Sequence, residues 1–422
     1  MRVLVLGSGA KDHAIARWFS RSCLISALFV APGNYCTEKF AINLPLVDPA
    51  SPESVYEACR LHDIDFVFIG TEAPLFTGVV ESLLAKGIEV FGAPSTSIKL
   101  EGNKAFSRAF TSRHNIPVPR NSLFSDSEAL ERYLTRHRGE HFIIKSNSIA
   151  PSRVMLDSAD TEALISYAKY LFQKGPVLLE EYIPGIPVTV TLLIDKNGYL
   201  QLPIVSEYTK VNKANTTPTG GMGAICPVPV PEEQLEAIRT EIIEPTLYGL
   251  KCEQLAYKGV LTLSIKIRRE DMRPVLVDYH VRFNDPATQA MVPIIKTDIV
   301  SILYAMRNDN VSSIELETED ECTVAVVLAS PGYPIKPEIG EEIHGLSNAF
   351  LGEYAGKPDV FCGAIQKDRS DKAVTTGGRN LTIVGKGINI EEANKKAYAL
   401  IKGKRFDNLW YREDIGNEYF RL

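Results

Sequence analysis

The chain has 422 residues, enough for two to four domains of roughly 100–200 residues each and for large buried cores. Hydrophobic residues make up 45% and charged residues 23%, which excludes a chain disordered throughout. The 46 Lys and Arg against 52 Asp and Glu give a net charge of −6, which argues against a sequence-blind grip on nucleic acid, and no apolar run approaches the ~18 residues of a membrane-spanning helix.

The first hundred residues alternate strand and helix. MRVLVLGSGA reads as a buried strand (Val3–Leu6) with a Gly turn behind it, not a signal peptide. Helix His13–Phe19, strand Leu28–Val30, helix Ser54–Leu61, strand Phe66–Ile69, helix Leu75–Lys86 and strand Glu89–Phe91 follow. Continuous apolar strands separated by helices predict a parallel sheet covered on both faces. A helix is expected over Ile98–His114. Short strands His141–Lys145 and Val177–Glu181 around helix Thr161–Gln173 predict a small α+β lobe. A helix at 231–250 precedes the clearest hairpin, Val260–Ile267 and Arg273–Val281. A fresh β unit starts at Thr323–Ala329 and continues through Leu381–Gly385 and a helix at 390–402. The borders expected are 1–100, 101–325 and 326–422, with the small lobe at 118–186. The seven cysteines are widely spaced with no CxxC, which predicts buried free thiols in a reducing cytoplasm and neither a disulfide framework nor a zinc site.

Several segments carry chemistry. Gly7-Ser8-Gly9 ahead of a helix is half of a dinucleotide fingerprint, with Asp12 where its last Gly belongs. Such a turn offers N–H groups to an anion, or is merely a tight turn. Thr219–Ala224 holds three glycines and reads as a cradle for a charged substrate or as a plain loop. In strand Pro274–Val281, alternation sends Val275, Val277, Tyr279 and Val281 to one face. Asp278, His280 and Arg282 go to the other, opposite Thr262, Ser264 and Lys266. That row suggests a metal or phosphate site, against a solvated sheet face. Lys145 ends one apolar strand, where a lysine can simply snorkel, and Glu180-Glu181 end another.

Together, VLVLGSGAKDHA (3–14), APGN (31–34), GTEAPL (70–75), LEGNKAFSRAF (100–110), LLEEYIPG (178–185), TPTGGMGA (217–224), VRFNDPATQ (281–289), ASPGYP (329–334), TTGGRNL (375–381) and YREDIG (411–416) resemble the phosphoribosylamine–glycine ligase family of ATP-grasp enzymes. The resemblance covers nearly the whole chain. It implies an α/β protein with an N-terminal parallel-sheet pre-ATP-grasp domain, a two-lobed α+β ATP-grasp domain and a small C-terminal α+β domain. It implies ATP-dependent ligation of glycine to 5-phosphoribosylamine through glycyl phosphate, by a cytoplasmic monomer using Mg²⁺ or Mn²⁺. Carried over, Lys104, Lys145 and Arg153 meet ATP phosphates, and Glu180, Glu181 and Ile183 line the adenine slot. Asp278 and His280 take the metal positions. Gly9, His13, Asn34, Glu72, Gly220, Gly221, Arg282, Asp285 and Thr288 frame the substrates, and Lys145 and Arg282 serve catalysis.

The departures sit mainly at the nucleotide. The family's metal positions are Glu and Asn, and imidazole suits softer ions than Mg²⁺, so weaker Mg²⁺ use with Mn²⁺ preferred is expected. Lys145–Val154 lacks the family's loop glycines, and Pro151 removes an N–H. Two lost bonds to charged phosphate are worth roughly 3–6 kcal/mol, or about 10²–10⁴ in affinity. Ile186 and Pro187 stand where glutamates would reach the ribose. A second reading therefore stays open, a scaffold that binds the ribonucleotide without turning ATP over.

Overall fold

The computed structural model describes residues 1–147, 155–214, 217–344, 346, 360–404 and 406–420. The N-terminal unit holds β1 (Arg2–Gly7), α1 (Ala10–Ser20), β2 (Ala27–Pro32), β3 (Ile42–Asn43), α2 (Pro52–Leu61), β4 (Phe66–Ile69), α3 (Ala73–Phe76), α4 (Val79–Ala85) and β5 (Glu89–Phe91). Its strands form one parallel sheet in the order β3-β2-β1-β4-β5. Period-two alternation splits β1 between two cores. Val3 and Val5 pack with Trp18 and Phe19, Leu4 and Leu6 with Val55 and Leu83. Each such fully buried side chain contributes about 1.5–3 kcal/mol. The expected helix Leu75–Lys86 is instead two, parted at Gly78, whose φ of 78° is left-handed.

The expected helix Ile98–His114 is likewise two, α5 (Lys99–Gly102) and α6 (Lys104–Arg113). Asn103 between them is extended, and its side chain accepts the Phe106 N–H at 2.9 Å, capping α6. The small lobe contains β6 (Asn121–Phe124), α7 (Ser127–Arg136), β7 (Phe142–Ser146), β8 (Met155–Ser158), α8 (Thr161–Phe172) and β9 (Val177–Glu181). Its antiparallel sheet runs β6-β9-β7-β8. Asp126 and Asp160 cap its helices, and Leu130, Leu134, Ile144 and Leu164 give it a core of its own.

The large lobe supplies β10 (Gly185–Ile194), β11 (Tyr199–Gln201), β12 (Ser206–Lys210), β13 (Pro218–Cys226), α9 (Glu232–Ile238), α10 (Glu244–Cys252), β14 (Gly259–Arg268), β15 (Pro274–His280), α11 (Ala287–Met291) and α12 (Ile299–Arg307). One sheet runs β11-β10-β14-β15. Then come β16 (Cys322–Ala329), β17 (Val360–Cys362), β18 (Ile365–Lys367), β19 (Ala373–Thr375), β20 (Arg379–Gly387) and α13 (Ile390–Lys404). A second large sheet, β12-β13-β16-β20-β17, joins strands from both sides of the expected 325/326 border, which falls inside β16. The expectation that all thiols are free is corrected. Cys36 and Cys362 are joined as a disulfide; of the free thiols Cys59 and Cys226 are buried as expected, Cys322 is half-buried, and Cys23 and Cys252 are exposed. The partners are 326 residues apart, a pairing that spacing cannot reveal.

Candidate active site

The N-terminal unit, both lobes and the C-terminal strands face one cavity of about 920 Å³. At one end lie Lys104, Lys145, Glu180, Glu181 and Ile183, the residues expected at the nucleotide. Lys104 begins α6 and reaches Asp278 Oδ1 at 2.7 Å. Lys145, buried on β7, touches Glu180 Oε2 at 2.7 Å and Asp278 Oδ2 at 3.1 Å. Arg108 Nε donates to Glu180 at 2.5 Å. Burial pushes the Asp278 carboxyl up, but Lys104, Lys145 and Arg108 outweigh it and hold it well below the ordinary carboxylate range. Burial likewise raises Glu180, and the Lys145 and Arg108 cations overcome it. Glu181, at the mouth, pairs with Arg120.

The hairpin β14–β15 sets the next row. Thr262 opposes His280 and Ser264 opposes Asp278, but the register then shifts and Val277 has no partner in β14. This bulge corrects the expected alternation. Leu276 and Tyr279 enter the core, while Val277, Asp278, His280 and Arg282 line the cavity. Bulges re-aim side chains in this way beside sites.

Glu101, which the sequence analysis passed over within LEGNKAF, ties this row together. Its carboxylate accepts the Val281 N–H at 3.0 Å, meets His280 Nδ1 at 3.2 Å and pairs with Arg282 at 2.9 Å. Burial raises its pKa, but Arg282 and His280 hold it far below the carboxylate norm. Arg282 also pairs with Glu72. At this other end stand Gly9, Lys11, Asp12, Gly220 and Asp285. The Gly9 N–H is engaged by Asp12 Oδ2 at 2.8 Å, so it is not free for an anion. Asp12 fills the space beside Gly7 and Gly70, where a Cβ would come within 2.2 and 2.3 Å of it. Burial pushes the Asp12 carboxyl up to about 6. Arg379, a second residue passed over, reaches Asp285 Oδ1 at 2.9 Å and the Gly220 carbonyl at 2.8 Å. Only its place in TTGGRNL could have signalled it.

The segment Thr219–Ala224, read as a cradle for a charged substrate or a plain loop, lies within β13. Gly221 adopts φ 113°, and a Cβ there would come within 2.7 Å of Asp285 O and 2.5 Å of Pro286. It brings two backbones together and does not line the cavity. His13, Asn34 and Thr288 also stand behind the wall. His13 Nδ1 accepts the Cys362 N–H at 3.0 Å, and burial, with Arg17, pushes its imidazole down to about 3. Asn34 Nδ2 donates to Ser8 O at 2.9 Å and Cys362 O at 2.8 Å. Thr288 Oγ1 donates to Asn284 O at 2.7 Å. Arg153 and the segment 148–154 lie outside the described residues.

The pair Asp278 and His280 does not fit a two-ligand Mg²⁺ site. His280 has Glu101 at one ring nitrogen and Ser264 Oγ, 3.2 Å away, at the other. Asp278 alone offers oxygens, and both face lysines.

Two antiparallel lobes closing on a Lys- and Glu-lined slot, beside a parallel-sheet unit, define an ATP-grasp ligase scaffold. Models of the phosphoribosylglycinamide synthetase N domain, ATP-grasp (A) domain and C domain match residues 1–101, 102–288 and 323–418, and the chain belongs to this family. The phosphoribosylamine–glycine ligase of Clostridium acetobutylicum is 31% identical over 99% of both chains. That of Rhizobium meliloti is 33% identical, covering 99% of this chain and 98% of its own. The crystal structure of phosphoribosylamine–glycine ligase from Thermotoga maritima superposes with a TM-score of 0.81 at 27% identity, covering 98% of this chain and all of that one. A biotin carboxylase domain from Hydrogenobacter thermophilus, at 14% identity and a TM-score of 0.70 over 97% of this chain and 91% of its own, shares the fold alone.

Proposed function

We propose that the chain ligates glycine to 5-phosphoribosylamine at the expense of ATP, giving glycinamide ribonucleotide, ADP and phosphate in purine synthesis. The observation that carries this reading is the single cavity, with Lys104, Lys145 and Glu180–Ile183 at one end and Glu72, Arg282, Gly220 and Asp285 at the other. A phosphoryl donor and two small substrates can meet there.

The terminal phosphoryl group passes from ATP to a glycine carboxylate oxygen. The amine of phosphoribosylamine then attacks the carbonyl carbon, the carbon–oxygen bond to phosphate breaks, and the amine loses a proton. No protein nucleophile is required; the protein positions the reactants and neutralises charge. Lys104 and Lys145 leave Asp278 and Glu180 for the ATP phosphates, with Arg153 assigned there by resemblance alone. Arg282, held by Glu72 and Glu101, faces the acyl phosphate. Of the two expected metal positions only Asp278 has oxygens that would hold an ion, Mg²⁺ or Mn²⁺, which would supply neutralisation of phosphate charge there. On this reading the chain acts as a cytoplasmic monomer, with these small molecules and neither nucleic acid nor membrane as partners. Among the described residues no helix is long and apolar enough to cross a membrane. On this reading the first unit is 1–100, and the last begins with β16 at Cys322 and not at 326, because the expected 325/326 border would split that strand.

The test is ADP release with freshly generated phosphoribosylamine, in Mg²⁺ and in Mn²⁺. Turnover that requires both glycine and the amine is expected. Folded protein that binds glycinamide ribonucleotide yet releases no ADP in either metal would favour the non-catalytic scaffold.

A further inference from the structure

The Cys36–Cys362 pair is not used by the ligase reading, yet it lies directly behind the substrate end of the cavity. Cys36 sits in the loop after β2, and Cys362 ends β17. Their Cα atoms are 5.9 Å apart, within the ordinary range for a bridge, and both residues are buried. Around them the two units are laced by hydrogen bonds. Asn34 Oδ1 accepts the Cys36 N–H at 3.0 Å, while its Nδ2 holds both Ser8 O and Cys362 O. The residues on either side of this knot, Ser8-Gly9 and Gly363-Ala364, are cavity wall.

We propose that Cys36 and Cys362 are a reversible redox clasp that sets the affinity of the substrate end, an inference that rests on the ligase reading for its substrate. A Cys thiolate attacks a sulfur of a small-molecule disulfide, RSSR, expelling one RS⁻. The second Cys thiolate then displaces the other RS⁻ from the mixed disulfide. The sulfur–sulfur bond of RSSR is broken and the Cys36–Cys362 bond is formed; two electrons pass from the protein thiols to RSSR, and the two thiol protons leave with the two RSH. In a reducing compartment a bridge of this kind is a sensor and not a permanent staple.

The same residues could be taken for a metal centre, because one ligand atom each from His13, Cys36 and Cys362 lies within 4.8 Å of the others. The imidazole argues against it. Its Nδ1 already accepts the Cys362 N–H, so in the neutral ring Nε2 carries the proton and no lone pair remains for an ion.

Full-length enzyme is treated with glutathione disulfide or with a phosphine reductant, then denatured and alkylated. Five modified cysteines are expected in the oxidised form and all seven in the reduced form. Reduction is expected to raise KM for phosphoribosylamine about fivefold, the worth of one weakened hydrogen bond. KM for ATP should stay put, because the nucleotide slot is walled by the lobes and not by the clasp. Cys36→Ser and Cys362→Ser should hold the reduced value whatever the oxidant. Chemical reduction of the natural chain covers the case in which either variant misfolds. Equal KM in the two forms, seven alkylated cysteines after oxidation, or one zinc ion retained per chain would overturn the clasp. If neither form turns over, the ligase reading falls, and the clasp is read instead from binding of glycinamide ribonucleotide. Tighter binding by the oxidised form then upholds it, and equal binding overturns it.

Discussion

Asp12 offers a measurement in which one buried carboxyl reports on its own surroundings. Replacing it with Asn removes the titration while keeping an oxygen to accept the Gly9 N–H. The side chain is 3% exposed and wedged between Gly7 and Gly70, and its Oδ1 has no hydrogen-bond partner. Burial therefore outweighs the neighbouring Lys11 and the Gly9 N–H, and lifts the carboxyl from 3.8 to about 6. Two units correspond to about 3 kcal/mol of preference for the protonated form in the fold. The sign follows. Asp12 contributes most below its unfolded value near pH 4, and that contribution is lost as pH rises through about 6. Between pH 7 and pH 4.5 the stability of the natural chain should gain about 2 kcal/mol relative to Asp12→Asn. Urea unfolding followed by fluorescence of the buried Trp18 reads this as a difference between two pH profiles, so other titrations cancel. Parallel profiles for the two proteins would show that Asp12 is solvated and that the wedge does not exist.

Glu101→Gln keeps an acceptor for the Val281 N–H but removes the charge that braces Arg282; kcat/KM should fall about 10–100-fold, as expected for a charged hydrogen bond of about 1.5–3 kcal/mol. An unchanged value in steady-state kinetics would remove Glu101 from the site. Lys145→Ala strips a buried cation from Glu180 and Asp278, and should lower stability by about 3 kcal/mol or more together with ADP release; a melting curve like that of the natural chain would contradict the burial of this network. His280→Ala should leave the ratio of Mg²⁺ to Mn²⁺ activity unchanged, since its ring is engaged by Glu101 and Ser264; a shifted ratio would return it to the ion. Gly221→Ala should destabilise the fold by a few kcal/mol, because φ 113° and the Asp285 carbonyl both exclude a Cβ; soluble protein with ordinary melting would refute that contact.

The parallel sheet was legible because Val3–Leu6 and Phe66–Ile69 are unbroken apolar runs bounded by glycine, a local pattern with one cheap solution. The row Asp278, His280, Arg282 was legible for the same reason, since strand alternation is local. What failed was non-local or subtractive. The bulge at Val277 depends on how β14 meets β15, and nothing in Pro274–Val281 announces it. Asn103 looked like a helix interior, although its side chain caps α6 and so ends α5. Glycines in Thr219–Ala224 suggested a substrate cradle or a loop, whereas Gly221 allows β13 to lie against Asp285 and Pro286. His13 and Asn34, placed at the substrates by resemblance alone, stand behind the cavity wall. They spend their hydrogen bonds on the backbone of Cys362, more than three hundred residues away. Glu101 and Arg379 carry no pattern of their own and become visible only when Arg282 and Asp285 are in place.

The sheet β12-β13-β16-β20-β17 has a bearing on how such a chain can be rebuilt. Its middle strand, β16, is hydrogen-bonded on one side to β13 of the large lobe and on the other to β20. A chain cut before Cys322 would turn Gly223–Cys226 into a raw edge and unroof the apolar residues beneath it, inviting self-association. The C-terminal portion is therefore the keystone of the catalytic body, and a graft from a relative would have to replace β13, β16 and β20 together.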